Sequence, residues 1–348
     1  MSKIIIIGAG SMGAAFSIPC VDNNHDTTIV GTHLEDLFID QIKKANNKHP
    51  VLNVQIPQQV NLVKFRQFNE IINLKVDIIV IAVSSKGIDW VIDRLVSFYK
   101  NKLLPEILVL TKGLSVENDK YETIPDKIKK NLAKNKIKIS SISAIGGPCL
   151  AVGLSNKVHT SVILANEDLK IAKKISNILK NNYYHISYTD DLFGVEVCAA
   201  IKNIFSMSVG TAFGKCLEGA KDELKEKIYL NTASSLITQS IFEMELFVKS
   251  LKGKKETVYG PAGFGDLYVS STGGRNSKMG LHIGNGLTFV EAKNTVMKNI
   301  TVEGADLAFE IGHKIKKDFT IKQLPLMIGM IKSITENEEF KLNWDDFN

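Results

Sequence analysis

A lysine sits in the middle of GVEVCAAIKNIFSMSVGTAFG, residues 194 to 214, where every side chain except Glu196, Lys202 and Asn203 is apolar, small or a hydroxyl. At 3.6 residues per turn this reads as a helix that is apolar on nearly all sides, hence packed on most of them. A lysine there has two readings. Its long stem can carry the charge out to water, or Lys202 points into a closed site, where desolvation lowers an amine's pKa and makes it a usable proton donor or acceptor. A second chemical stretch is GPAGFGDLYVSSTGGRNSKMG, residues 260 to 280, rich in glycine, with one carboxylate at Asp266 and GGRN ahead of a helix. Glycines before Arg275 and Asn276 let a backbone approach a ligand closely, and a guanidinium grips phosphate in bidentate fashion as lysine cannot. The chain has only three arginines, Arg66, Arg94 and Arg275, against a mass of lysine, which makes Arg275 a pointed choice. The other reading is a surface loop with a chance arginine.

These side chains need elements to hold them. The N-terminus, KIIIIGAGSMG, is a buried strand from Lys3 to Ile7 running into Gly8, Gly10 and Gly13; AAFSIPCVDNN then reads as a helix and TTIVG as a second strand. In that βαβ setting Gly8 permits the tight turn, Gly10 lets the backbone approach a pyrophosphate, Gly13 lets helix and strand pack closely, and the helix N-terminus offers N–H groups to the anion. Pro19 should kink the helix. Further apolar runs follow at 76 to 83, 106 to 111, 138 to 145 and 160 to 166, separated by helix-length segments. Strands that alternate with helices and are apolar throughout imply a mostly parallel sheet covered on both faces. After YYHISYTDD the pattern turns helical. The expected fold is α/β: a Rossmann-type doubly wound parallel sheet over residues 1–189, binding a dinucleotide, then an all-α substrate domain over 190–348. Ligands in such sheets lie at the carboxyl ends of the strands. Ser84 and Ser85, TKGL with Lys112, and GGPCLA (146 to 151) stand there, each also readable as a plain turn.

Composition narrows the rest. With 348 residues, 44% hydrophobic and 23% charged, the chain is of globular type. The net charge of +6 is spread as lysine along the whole chain, without a basic cluster interleaved with aromatics, so nucleic acid is not an expected partner. Cys20, Cys149, Cys198 and Cys216 are far apart, which indicates neither a disulfide framework nor a metal site. A strand that begins at Lys3 leaves no room for a signal peptide, and no apolar stretch reads as long enough for a membrane span. A cytoplasmic location is expected.

The motifs GAGSMG, TKG with Lys112, GGPCLA, GVEVCAAIKN with Lys202, GFGDL with Asp266, GGRN with Arg275 and Asn276, and TVEG with Glu303 occur in the order seen in NAD(P)-dependent glycerol-3-phosphate dehydrogenases, which the chain resembles from residue 3 to about 330. The resemblance implies interconversion of dihydroxyacetone phosphate and sn-glycerol 3-phosphate by hydride transfer with NAD(P)H, supplying glycerol 3-phosphate for glycerophospholipid synthesis, in a homodimer. It makes Lys202 the proton donor and acceptor, with Asp266 orienting it and Lys112 as a second cation. It places Lys112, Gly147, Cys149, Asn203, Gly274, Arg275 and Asn276 around the substrate, the Arg275 and Asn276 pair holding its phosphate. On the cofactor it places Gly8, Gly10, Ser11, Met12, Gly13, Thr32, His33, Lys112, Ala151, Arg275, Thr301 and Glu303, with no metal.

The chain departs from the family at several points. GGPCLA replaces the usual SGPSFA, so Cys149 stands for a serine, and Ser84 stands where a proline is common. A charged segment at 215–231 replaces a short glycine-rich turn, and a basic residue expected soon after Asn231 is missing. These changes fall near the substrate pocket and bear on substrate identity more than on reaction type, which leaves a related two-domain dehydrogenase acting on another small hydroxy compound or polyol phosphate as the alternative. A cofactor-binding regulator that has lost catalysis would have to explain why Lys202 and Asp266 are both kept. The second strand ends in Thr32 and His33 with the nearest acids, Glu35 and Asp36, expected further into a helix. Nothing then repels a 2′-phosphate, so NADPH is expected over NADH.

Overall fold

The computed structural model describes residues 1–72, 75–217, 224 and 227–347. By their contacts they form two compact units, Met1–Lys112 with Ile124–Leu192, and Gly113–Thr123 with Phe193–Asn348. Of the departing segment 215–231, residues 218–223, 225 and 226 lie outside the described residues.

Along the chain the strands are β1 (Lys3–Ile7), β2 (Asp26–Val30), β3 (Lys48–His49), β4 (Val54–Gln55), β5 (Asn61–Val63), β6 (Ile78–Ile81), β7 (Leu103–Leu104), β8 (Glu106–Val109), β9 (Leu114–Glu117), β10 (Lys120–Thr123), β11 (Lys138–Ile139), β12 (Ile142–Gly146), β13 (Thr160–Ala165) and β14 (Tyr184–Thr189). Eight of them make one sheet in the order β14-β13-β12-β8-β6-β1-β2-β5. The pairs are parallel except β12 with β13, where the sheet reverses direction. Ile4 to Ile7 and Ile79 to Ile81 are fully buried, as expected of central strands covered on both faces. The first unit's helices are α1 (Ser11–Asp22), α2 (Asp36–Lys44), α3 (Phe68–Ile72), α4 (Ile88–Phe98), α5 (Ile124–Lys134), α6 (Ala151–Ser155) and α7 (Leu169–Leu179). Pro19 is carried inside α1, which continues past it to Asp22.

The second unit contains α8 (Leu192–Leu217), α9 (Leu230–Ser250), α10 (Lys255–Tyr259), α11 (Asp266–Ser271), α12 (Arg275–Gly284), α13 (Phe289–Asn294), α14 (Glu303–Asp318) and α15 (Pro325–Thr335). Helix α8 is its core. The helix run Leu192–Cys216 holds an 18-residue window with a mean hydropathy of 1.5, longer and more apolar than the sequence reading allowed, but 89% of that window is buried inside the fold, so it is a core helix and no clear membrane span. Buried helix faces need packing partners, and α8 takes α12 as one. A Cβ at Gly280 would lie 2.0 Å from the Met207 carbonyl oxygen, one at Gly284 2.3 Å from that of Thr211, and ones at Gly210 and Gly214 2.3 Å from those of Ser277 and Leu281. The two helices therefore cross backbone against backbone.

Strands β9 and β10 form a hairpin turned by Asn118 and Asp119, both at positive φ (51° and 58°), the conformation of a two-residue turn whose twist suits the strands. Asp119 accepts from Lys314 and Lys317 of α14 at 3.3 and 2.7 Å, and Tyr121 stands edge-on to Phe247 of α9. These contacts tie the hairpin into the helical unit.

Candidate active site

The glycine loop of the first unit has the shape its sequence implies. Gly8 has φ +111°, and a Cβ there would meet the Ala82 carbonyl oxygen at 2.9 Å; one on Gly13 would lie 2.2 Å from the Gly8 oxygen. Gly10, by contrast, faces open space, with nothing within 4 Å of where a Cβ would be. A side chain there would fill the cradle without touching protein. Gly10 caps α1 with no side-chain bond, so the first N–H groups of the helix, at Ser11, Met12 and Gly13, form an anion-receptive end. These features fit a dinucleotide pyrophosphate.

At the end of β2 the structure corrects one premise of the sequence reading. Glu35 ends the turn before α2 and folds back: its carboxylate accepts from the Thr32 N–H at 2.7 Å and from the Ala9 N–H at 3.2 Å. An acid therefore does stand beside Thr32. His33 is exposed, with its ring packed against Trp90 (centroids 5.1 Å) and Phe65 (6.3 Å). A buried histidine, His49, meets the Ala9 carbonyl through Nε2 at 3.2 Å.

At other strand ends, Lys112 follows β8, behind Thr111, whose hydroxyl donates to the Val83 carbonyl at 2.7 Å. Gly147, after β12, has φ +135°, a value that suits glycine. Its carbonyl accepts from the Cys149 N–H at 2.8 Å. Cys149 is half-buried and in no disulfide, and Ala151 opens α6.

In the second unit Lys202 is 7% exposed, so the reading in which its stem carries the charge to water falls. Its ammonium donates to Asp266 Oδ1 at 2.7 Å and to the Ser270 hydroxyl. Ser270 was missed in the sequence. Its signal is its place four residues after Asp266, the helical spacing that puts two side chains on one face. A π-helical turn, Pro261–Gly265, leads into Asp266, and Gly263 is required there because a Cβ would lie 2.1 Å from the Val258 carbonyl oxygen.

Gly274 caps α12 in extended conformation without a side-chain bond, leaving the N–H groups at Arg275 and beyond as another anion-receptive end. Arg275, about half exposed, pairs with Glu303 at the start of α14. Asn276 is buried; its amide donates to Asn203 Oδ1 at 2.9 Å and accepts from the Gly304 N–H at 2.9 Å. It ties α8, α12 and α14 together beside Lys202. Thr301 is exposed, two residues ahead of Glu303. Among the described residues no group of three or more His, Cys, Asp or Glu could hold a metal.

Residues 3–172 match the family model of the NAD-dependent glycerol-3-phosphate dehydrogenase N-terminus, and residues 191–343 that of the C-terminus. The chain is 28% identical over 324 residues to the NADP(+)-dependent glycerol-3-phosphate dehydrogenase of Archaeoglobus fulgidus, covering 90% of this chain and 91% of that protein. It is 30% identical to the glycerol-3-phosphate dehydrogenase [NAD(P)+] of Fusobacterium nucleatum, over 87% of this chain and 84% of the relative. Its fold is similar to that of the crystal structure of glycerol-3-phosphate dehydrogenase from Coxiella burnetii, with a TM-score of 0.76 at 24% identity, covering 97% and 96% of the two chains.

Proposed function

The chain belongs to the NAD-dependent glycerol-3-phosphate dehydrogenase family, and from that premise we propose how its side chains divide the work. It is an NAD(P)-dependent oxidoreductase that interconverts dihydroxyacetone phosphate and sn-glycerol 3-phosphate. In the reducing direction it supplies glycerol 3-phosphate for glycerophospholipid synthesis. Cytoplasmic location and a homodimer complete the reading; sedimentation of the purified chain tests the latter.

As the ketone at C2 is reduced, negative charge develops on its oxygen. The Lys202 ammonium stabilises that charge and delivers the proton, a type of assistance worth about 10²–10⁴-fold. Asp266 and Ser270 fix the direction of the ammonium, and Lys112 adds a second cation. Arg275 and the open N-terminus of α12 hold the phosphate, with Gly274 giving the backbone access. Asn276 and Asn203 set the position of that helix end, and Gly147 and Cys149 line the substrate. The nicotinamide, when bound, supplies or accepts the hydride at C2. Gly8, Gly10, Ser11, Met12 and Gly13 bind the pyrophosphate, and Thr32 and His33 the adenosine side. Ala151, Thr301 and Glu303 complete the cofactor's surroundings.

The observation that carries this reading is the buried Lys202–Asp266 pair. It is tested by comparing dihydroxyacetone phosphate reduction and cofactor binding in the parent and Lys202→Ala proteins. A variant that turns over near-normally would remove the assignment.

A further inference from the structure

Ala9 lies between the first two glycines of the fingerprint, and side chains from outside the fingerprint hold both of its peptide groups. Glu35 accepts from its N–H, and His49 reaches its carbonyl. Leu52 donates its N–H to His49 Nδ1 at 3.1 Å, so in the neutral ring Nε2 carries the hydrogen and donates to Ala9. The imidazole is fully buried, with its ring edge-on to Phe38 at 5.3 Å. It also lies on β3, in the turn that continues to β4, so its position is set by that hairpin.

We propose that His49 is a positioning residue for the dinucleotide: its hydrogen bond sets the Ala9–Gly10 peptide, so that Gly10 and the first N–H groups of α1 face the pyrophosphate. This rests on the loop from Gly8 to Gly13 being the cofactor loop. The ring faces the Ala9 carbonyl, the Leu52 N–H, the Phe38 ring and the charge of Glu35. Burial holds the imidazole below its usual range, opposed by the Ala9 bond and by Glu35. In acid the second proton goes to Nδ1, opposite a donor N–H, so the ring must give up Leu52 and its fixed place. The same step that charges His49 loosens the loop.

Two substitutions separate the ring's two bonds. His49→Gln keeps a donor near the Nε2 position, and His49→Asn keeps an acceptor near the Nδ1 position. Cofactor dissociation constants are read by NAD(P)H fluorescence, alongside kcat at saturating cofactor and KM for dihydroxyacetone phosphate. His49→Asn is expected to weaken both cofactors about tenfold, with kcat and substrate KM held within about twofold, while His49→Gln stays near the parent. Parent-like cofactor binding by His49→Asn, or equal losses in both variants, overturns the proposal. If His49→Asn does not fold, the pH arm decides. The parent's cofactor affinity falls as the pH is lowered below about 6.5, where an imidazole held under its usual range takes up its proton, and that of His49→Gln does not; equal slopes overturn it. Gly10→Val is the control for the underlying reading, because a Cβ at Gly10 meets no protein atom within 4 Å, and a thermal melt alongside checks that the variant keeps the parent's fold. Normal cofactor binding by Gly10→Val removes the loop assignment itself, whereas its failure beside a normal His49→Asn removes only the role of His49.

Discussion

Lys202 and Asp266 meet at 2.7 Å with side chains 8% and 3% exposed, on two different helices of the same unit. Removing one partner of a buried pair leaves the other charge uncompensated, which costs several kcal/mol, so nature of function aside the pair is strongly constrained. The ammonium is also held on a second side by Ser270, so its direction is fixed before substrate arrives.

Lys202→Ala is expected to lower kcat for ketone reduction by about 10²-fold or more, leaving cofactor affinity within about twofold. Asp266→Asn should be comparably severe, and Ser270→Ala milder, about tenfold in kcat. Steady-state rates combined with cofactor fluorescence titration check all three.

Arg275→Lys keeps the charge and loses the planar fork, so KM for dihydroxyacetone phosphate should rise about tenfold or more, with a smaller change in kcat. Unphosphorylated dihydroxyacetone should be a poor substrate for both proteins. Its use at the rate of the phosphate ester would remove Arg275 from the phosphate site.

Glu35→Gln tests the carboxylate that folds back beside Thr32. It retains an acceptor for the backbone N–H groups and removes the negative charge, so the NADPH to NADH ratio of kcat/KM should rise, by about tenfold. An unchanged ratio would mean that the 2′ position of the cofactor does not sense Glu35.

Gly280→Ala places a methyl where the Met207 carbonyl oxygen lies 2.0 Å away, and backbone on both sides leaves little to yield. A loss of about 3 kcal/mol or more is expected from chemical denaturation. A midpoint within error of the parent would show that α8 and α12 can separate without cost.

Glu243 on α9 accepts from the Leu326 and Met327 N–H groups at the start of α15, at 2.8 and 2.9 Å. Burial pushes its carboxyl up to about 7, against the pull of those bonds. A folded pKa above the unfolded one means that the native state binds the extra proton, so this contribution is full below about pH 4.5 and is lost as pH rises through about 7. Thermal melts of Glu243→Gln should lack that decline. A parallel pH profile in parent and variant would assign the slope to other groups.

The sheet, the glycine loop and the Lys202 helix could be read from sequence because each shows as a run of apolar residues with a fixed period or as glycines at fixed offsets. The Lys202–Asp266 meeting was reached only by resemblance, since 64 residues separate them. The hairpin of β9 and β10 escaped because LSVE and KYET are short and polar; its one local sign was Asn118–Asp119. Gly210, Gly214, Gly280 and Gly284 are spaced one helical turn apart, a pattern visible in the chain whose meaning appears only when the two helices are paired. Glu35 was seen but misplaced, because periodicity locates a backbone position and says nothing of a side chain that turns back three residues.

The hairpin carries a consequence for how the protein is made. Its tip, Asp119, finds Lys317 only 198 residues later in the chain. All eight strands of the large sheet have been synthesised by residue 189, while β9 and β10, threaded between β8 and α5, still have no helix of the second unit to lie on. At translation speeds of about 5–20 residues per second the wait is about 10–40 s. For the first part of that interval Tyr121 lacks the Phe247 ring, and for nearly all of it the Lys314 ammonium, against which it finally rests, and the early half of the nascent polypeptide carries a strand pair that belongs to the late half.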